Sequence, residues 1–122
     1  MIGPLRLLFV DDDADIRMIV ALTLARDPAI ALDAVASADE ALARMRVGTP
    51  PDAALLDVSM PDMDGPTLAA ALHTIAPRLP VIFMTAHSRE RELAVLRAAG
   101  AVGVIVKPFE PLKLVDQIRA LL

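Results

Sequence analysis

Cysteine is absent from the 122 residues, which excludes disulfides and thiolate metal sites. Tryptophan and tyrosine are absent as well, and phenylalanine occurs only three times. Aromatic stacking is therefore not available as a main recognition device. Positive charge is in deficit: 12 Lys and Arg stand against 16 Asp and Glu, a net charge of -4. Nucleic-acid binders carry a basic face, and this balance provides no such footprint. The two histidines, His73 and His87, have no ligand-like spacing, which argues against zinc. No stretch approaches the roughly 18 apolar residues of a membrane helix. No h-region or cleavage site of a secretory signal is visible at the N-terminus. The expectation is a single cytoplasmic domain over residues 1–122, with no nucleic-acid or membrane partner.

Apolar residues, by contrast, make up 56% of the chain, enough for a substantial core. They fall in five short runs rich in Val, Ile and Leu: Leu5 to Val10, Ile30 to Val35, Ala53 to Leu56, Val81 to Thr85 and Val102 to Val106. Several are apolar without alternation, as strands buried on both faces are. Between them lie helical patterns. Ile16, Ile19, Val20, Thr23 and Leu24 form one stripe. Ser37 and Glu40 make a capping-box pair ahead of Ala41, Leu42 and Met45. Pro66 reads as a first-turn proline, Ser88 as a helix cap, and Gly100 as a left-handed helix end. Pro111 opens a last helix carrying Leu114, Val115, Ile118 and Leu122. Strict strand–helix alternation with short loops predicts an α/β fold, a parallel sheet with helices on both faces.

Ligands of such sheets bind beyond the carboxyl ends of the strands. The residues there are Asp11, Asp12 and Asp13 after the first run, Asp57 after the third, Thr85 at the end of the fourth, and Lys107 after the fifth. A lone acid after a strand is more often a helix cap than a ligand, and a lone lysine more often a solvated charge. Four strand ends with chemically capable groups at one sheet edge shift that balance. Three bare aspartates repel one another, and a hard divalent cation with oxygen ligands resolves the repulsion. Lys107 balances part of the remaining charge, and a carboxylate between metal and lysine is a candidate covalent nucleophile toward phosphorus.

These residues resemble the receiver domains of two-component response regulators. The motifs that carry the resemblance are "FVDDD" at 9–13, "LLDVSMPDMDG" at 55–65, "MTA" at 84–86 and "VKPF" at 106–109. They stand in family order, and the resemblance covers essentially the whole chain. It implies a (βα)5 doubly wound, flavodoxin-like fold with strand order 2-1-3-4-5. It implies Asp57 as acceptor of a phosphoryl group from a phosphohistidine, with Lys107 contacting the phosphoryl oxygens and Thr85 moving toward them. It implies Mg2+ on Asp12, Asp57 and the backbone carbonyl of Ser59, with Asp11 acting through a metal-bound water. The implied partners are a sensor histidine kinase or histidine phosphotransfer protein and a downstream protein target; self-association into a homodimer stays open. The Lys107–Pro108 peptide is expected to be cis. Asp13 has no role in this set and reads as an N-terminal helix residue favoured by the dipole. Gly65 reads as a backbone requirement of the loop. The chain is expected to act as a switch and not as an enzyme on other substrates.

The sequence departs from the family pattern at Val104, where an aromatic, Tyr or Phe, is usual three residues before the lysine. A valine there either joins a partner surface or packs against the last helix. Ser59 and His87, two beyond Asp57 and Thr85, flank the phosphoryl position in the family; His87 reads as a residue in solvent and His73 as an exposed surface residue. If the chain is complete, no DNA-binding domain follows Leu122 and output is expected through a protein partner; if it is part of a longer protein, that expectation lapses. Two alternatives compete. A phosphatase of the haloacid-dehalogenase type would use Asp11 as nucleophile and Asp13 two residues on, but Asp15 stands where Thr or Val is expected. A receiver-like module without phosphate chemistry would lack a site residue, and none is missing. A calcium loop on Asp11, Asp13 and Asp15 fails because Ile16 occupies the position that needs glycine.

Overall fold

Five parallel strands in the order β2-β1-β3-β4-β5 form the sheet on which everything else is placed. The structure, a computed structural model, describes residues 4–122. The strands are β1 (Leu5–Val10), β2 (Ile30–Val35), β3 (Ala53–Asp57), β4 (Val81–Thr85) and β5 (Gly103–Val106). The helices are α1 (Ala14–Leu24), α2 (Ala38–Met45), α3 (Gly65–Ile75), α4 (Glu90–Ala98) and α5 (Pro111–Leu121). This is the expected doubly wound order 2-1-3-4-5. Strand order reverses between β1 and β3, and the crevice beyond their carboxyl ends is the ligand position of such sheets.

Side chains alternate across a strand, so each central strand feeds two cores. Leu7, Phe9, Leu55, Ile82, Met84 and Ile105 face α1 and α5, where they meet Val20, Leu24, Leu114 and Ile118. Leu8, Val10, Leu56, Val81 and Phe83 face the other way and meet Ala38 and Met45 of α2, Leu68 and Leu72 of α3 and Leu96 of α4. Every residue of β3 and β4 is buried, which explains their unbroken apolar runs. Each fully buried Leu, Phe or Met side chain in these layers contributes roughly 1.5–3 kcal/mol. The strand ends are thereby fixed relative to one another before any functional group is considered.

The edge strands differ from the sequence expectation. In β2 only Ile30 and Val35 are buried, and in β5 only Ile105. Each has a partner on one side only, so one flank faces solvent. Strand β5 begins at Gly103 rather than Val102, and β3 runs one residue further than the apolar run, through Asp57. On α1 the expected stripe holds at Val20, Thr23 and Leu24, but Ile19 is exposed. The helix is apolar on nearly all sides, with Met18 and Leu22 also exposed, and periodicity alone did not single out the buried face.

Helix starts obey local chemistry, although α4 and α5 lack a side-chain cap bond. Ser37 Oγ accepts from Glu40 N–H at 3.1 Å, and Glu40 Oε2 in turn accepts from the backbone N–H of Ala36 at 3.3 Å. Pro66 sits in the first turn of α3, as predicted. Gly100 follows α4 with φ 92°, the left-handed end that glycine tolerates. Ser88, however, does not cap α4. That helix starts at Glu90 with Arg89 as its cap residue and no side-chain cap bond. Glu90 and Glu92 in its first turn complement the helix dipole instead.

Gly65 has a packing reason. A Cβ there would lie 2.8 Å from the backbone oxygen of Asp57 and 3.0 Å from Val58 Cα. The neighbours are backbone and cannot rotate away. Gly65→Ala is therefore expected to destabilise the protein by about 1–3 kcal/mol, read as a lower urea midpoint at unchanged m-value. The same substitution crowds the Asp57 backbone at the end of β3.

A candidate phosphoacceptor and cation site

Each functional group is delivered by a strand end. Val10 of β1 pairs with Leu56 of β3, so the next residues along, Asp11 and Asp57, emerge side by side. Asp57 pairs with Met84 and Thr85 with Val106, which brings β4 and β5 to the same edge. Lys107 N–H donates to the Thr85 carbonyl at 2.7 Å, extending the β4–β5 ladder to the lysine itself. The Lys107–Pro108 peptide is cis, as the resemblance implied.

The expected site residues do converge. One carboxylate oxygen from each of Asp11, Asp12 and Asp57 lies within 4.8 Å of the other two. Lys107 Nζ lies 2.9 Å from Asp57 Oδ1 and 3.2 Å from Asp11 Oδ2. Asp11 is fully buried and Asp57 is 6% exposed, whereas Asp12 stands in solvent at the mouth. Thr85 is buried next to this cluster, and its Oγ1 accepts from the His87 N–H at 3.1 Å. Ser59 opens the exposed loop two residues beyond Asp57.

Electrostatics set what the pocket can hold. Two unit charges at 4.8 Å repel by roughly 3–4 kcal/mol at an effective dielectric of about 20. Lys107 matches one of the three negative charges and leaves two. Burial raises the Asp57 pKa above the usual carboxylate range, and the charges of Asp11 and Asp12 push the same way against the hydrogen bond from Lys107. Burial alone would lower the Lys107 pKa, but its hydrogen bond to Asp57 and the charges of Asp11 and Asp57 outweigh it and raise the value. Lysine gains from the arrangement while Asp57 is penalised by it. A donor set of three carboxylates and no nitrogen or sulfur suits a hard divalent cation such as Mg2+.

The surrounding aspartates are already committed. Asp13 is the N-cap of α1, its Oδ1 accepting from Asp15 N–H at 2.9 Å and Ile16 N–H at 3.4 Å. Asp64 caps α3 through Thr67 N–H at 2.8 Å, and its hydrogen bonds to Thr67 hold its carboxyl below the usual range. Asp62 accepts from the Ala38 N–H at 2.9 Å and so ties the β3–α3 loop to the start of α2. The phosphatase alternative needs Asp11 and Asp13 free for chemistry. Asp11 Oδ1 accepts from the Asp13 N–H at 2.9 Å, its Oδ2 from Lys107, and Asp13 is spent on the cap.

The model of the response regulator receiver domain family matches residues 7–119. The chain belongs to that family. Its phosphorelay role and its fold follow from this membership. The chemotaxis response regulator CheY4 of Vibrio cholerae superposes with a TM-score of 0.89 at 29% identity, over 98% of this chain and 100% of that one. A CheY-like receiver domain protein from Methanospirillum hungatei JF-1 gives 0.85 at 29% identity, over 97% and 93%. Among curated relatives, the transcriptional regulatory protein PrrA of Mycobacterium tuberculosis is 35% identical over 96% of this chain and 49% of its own length. A protein-glutamate methylesterase/protein-glutamine glutaminase of Cereibacter sphaeroides is 37% identical over 87% of this chain and 29% of its own length. This receiver thus spans between about three tenths and half of those two relatives, and the activities they are named for belong to them.

Two residues behave differently from the sequence reading. Val104 packs against the core on the α2–α3–α4 side, beside its strand neighbour Phe83, and not against the last helix. His73 is half-buried, its Nε2 2.9 Å from the Leu79 carbonyl, rather than exposed. His87 is exposed as expected, with Nδ1 3.6 Å from Glu92 Oε2 of α4. Asp62 and Arg17, whose Nη1 donates to the Asp11 carbonyl at 2.7 Å, were not singled out by any local pattern. Both act on backbone brought near by the fold, at separations of 24 and 6 residues.

The raised Asp57 pKa fixes a sign. A carboxyl whose folded pKa exceeds its unfolded one favours the fold most below the unfolded value and loses that contribution as pH rises through the folded one. Metal-free protein is therefore expected to lose stability from this group as Asp57 ionises. Asp57→Asn should raise the metal-free melting temperature at pH 7. A lower melting temperature for the variant at pH 7 would show that the Lys107 ion pair outweighs burial and repulsion.

Proposed function

We propose that Asp57 accepts a phosphoryl group and that the pocket holds Mg2+ through Asp11, Asp12, Asp57 and the Ser59 backbone carbonyl. The observation that carries this reading is a nearly buried carboxylate 2.9 Å from a lysine and among two further carboxylates. When bound, Mg2+ supplies neutralisation of the acid pocket and of the incoming phosphoryl oxygens. Lys107 holds the Asp57 carboxylate in place and meets the negative charge of the arriving group. A carboxylate oxygen of Asp57 attacks phosphorus in line, the new P–O bond forms as the P–N bond of a phosphohistidine breaks, and the electron pair stays on the imidazole nitrogen. The Thr85 hydroxyl, now held by the His87 N–H, stands at the end of the strand paired with that of Asp57 and would donate to a phosphoryl oxygen. Water later cleaves the acyl phosphate. The chain thus catalyses only its own phosphorylation and dephosphorylation, and it acts by shifting a population between two conformations.

The donor on this reading is a sensor histidine kinase or a histidine phosphotransfer protein, and the output is a protein partner or a second copy of the chain. The setting is the cytoplasm, where such donors work; among the described residues no helix is long and apolar enough to cross a membrane.

Intact mass after incubation with acetyl phosphate and Mg2+ tests the assignment. One added phosphoryl group is expected on the wild type, dependent on Mg2+, and none on Asp57→Asn. Addition that survives in Asp57→Asn moves the nucleophile elsewhere. If no adduct accumulates, binding of beryllium fluoride to the wild type separates rapid hydrolysis from a dead site. Mg2+ at a hundred times its dissociation constant should add about 2.7 kcal/mol, a rise of about 10 °C in melting temperature for a domain of this size. Asp12→Ala should abolish most of that rise.

A further inference from the structure

Arg17 stands one turn into α1, its backbone N–H donating to the Asp13 carbonyl at 3.0 Å. Its side chain turns back toward the strand end. Nη1 donates to the backbone carbonyl of Asp11 at 2.7 Å, and the residue is half-buried. That carbonyl belongs to the planar peptide that joins Asp11 to Asp12. The β1 ladder stops here: the Asp11 N–H reaches the Val35 carbonyl at 3.2 Å, and the next residue is outside the sheet.

The two neighbouring acids are held unequally. The Asp11 carboxylate is fixed by the Asp13 N–H and by Lys107. Asp12 is exposed, and among the described residues no hydrogen bond holds its carboxylate. The peptide plane that precedes it places its Cα, and Arg17 pins that plane. The charge-assisted bond is short and strong for a guanidinium on a carbonyl.

We propose that Arg17 is a positioning residue of the acid pocket: its clamp on the Asp11 carbonyl aims the Asp12 carboxylate at Asp57 and so sets the Mg2+ affinity. The inference rests on the metal reading above. A second effect runs the other way, because the guanidinium is a positive charge close to a cation site. Removing a mere charge tightens Mg2+ binding, whereas removing a clamp weakens it. The sign of the change therefore distinguishes the two roles.

The test is calorimetric Mg2+ titration of the whole chain as wild type, Arg17→Gln and Arg17→Lys, with metal-free melting curves alongside. Arg17→Gln is expected to weaken Mg2+ binding about tenfold or more, as for other groups that orient metal ligands. Arg17→Lys keeps the charge and one donor but loses the planar fork, so an intermediate affinity is expected. Affinity that is unchanged or tighter in Arg17→Gln overturns the proposal. If Arg17→Gln does not fold, Arg17→Lys decides, and wild-type affinity in that variant overturns it. Wild-type protein that binds no Mg2+ overturns the metal reading and this proposal together. Wild-type binding with unaffected variants overturns this proposal alone.

Discussion

Lys107 Nζ between Asp11 and Asp57 is the contact on which the site depends, because it joins the ends of β1, β3 and β5 through one ammonium group. These residues are 96 and 50 positions from the lysine in sequence, so only the finished sheet brings them together. The pocket is built with a deficit of positive charge. One lysine faces three carboxylates, two of them buried. A structural ion-pair cluster would be closer to balance, since buried uncompensated charge costs several kcal/mol per ion. The imbalance makes sense if a further cation belongs to the resting site.

The sheet supplies the rigidity that such a site requires. β3 and β4 are buried along their whole length and carry core on both faces. The acids, the threonine and the lysine follow directly from these and the adjoining strands, so little loop separates functional atoms from the core. The β3–α3 loop is longer, and it is tied down at three places. Gly65 N–H donates to the Val58 carbonyl at 2.9 Å, Asp64 caps α3, and Asp62 caps the neighbouring α2. Gly65 lets α3 approach the end of β3 so closely that no side chain fits between them. What looks in the sequence like one acidic motif is thus divided: Asp57 serves the pocket, while Asp62 and Asp64 hold the loop that frames it.

Much of this was legible because it is local. Apolar runs of four to six residues with polar termini identify buried strands and the groups at their ends. Four of these ends carry chemistry, and the family motifs tie Asp11, Asp12, Asp57, Thr85 and Lys107 into one set. The unreadable parts depend on tertiary neighbours. Ser88 has the chemistry of a cap but lies one residue short, and α4 begins at Glu90 without a side-chain cap. His73 looks like a surface residue until Leu79 offers its carbonyl. Ile19 fits the helical stripe of α1 but points away from the core, because that helix is too uniformly apolar for spacing to choose a face. Arg17 has the composition of an ordinary helix-surface arginine, and its partner is a backbone carbonyl that no residue code reveals.

Val104 stands where the family usually carries an aromatic residue. A valine is stiff at χ1, and here it is partly buried against the core on the α2–α3–α4 side of the sheet, beside its strand neighbour Phe83. The Thr85 hydroxyl is linked to the start of α4 through His87, whose N–H bonds Thr85 Oγ1 and whose ring lies 3.6 Å from Glu92 Oε2. Both side chains are partly exposed, so water screens this pair. The Thr85 side chain is tied to the β4–α4 loop by the His87 N–H. The polar contacts between the end of β4 and the head of α4 thus run through His87, whereas the contact that Val104 makes beside them is apolar.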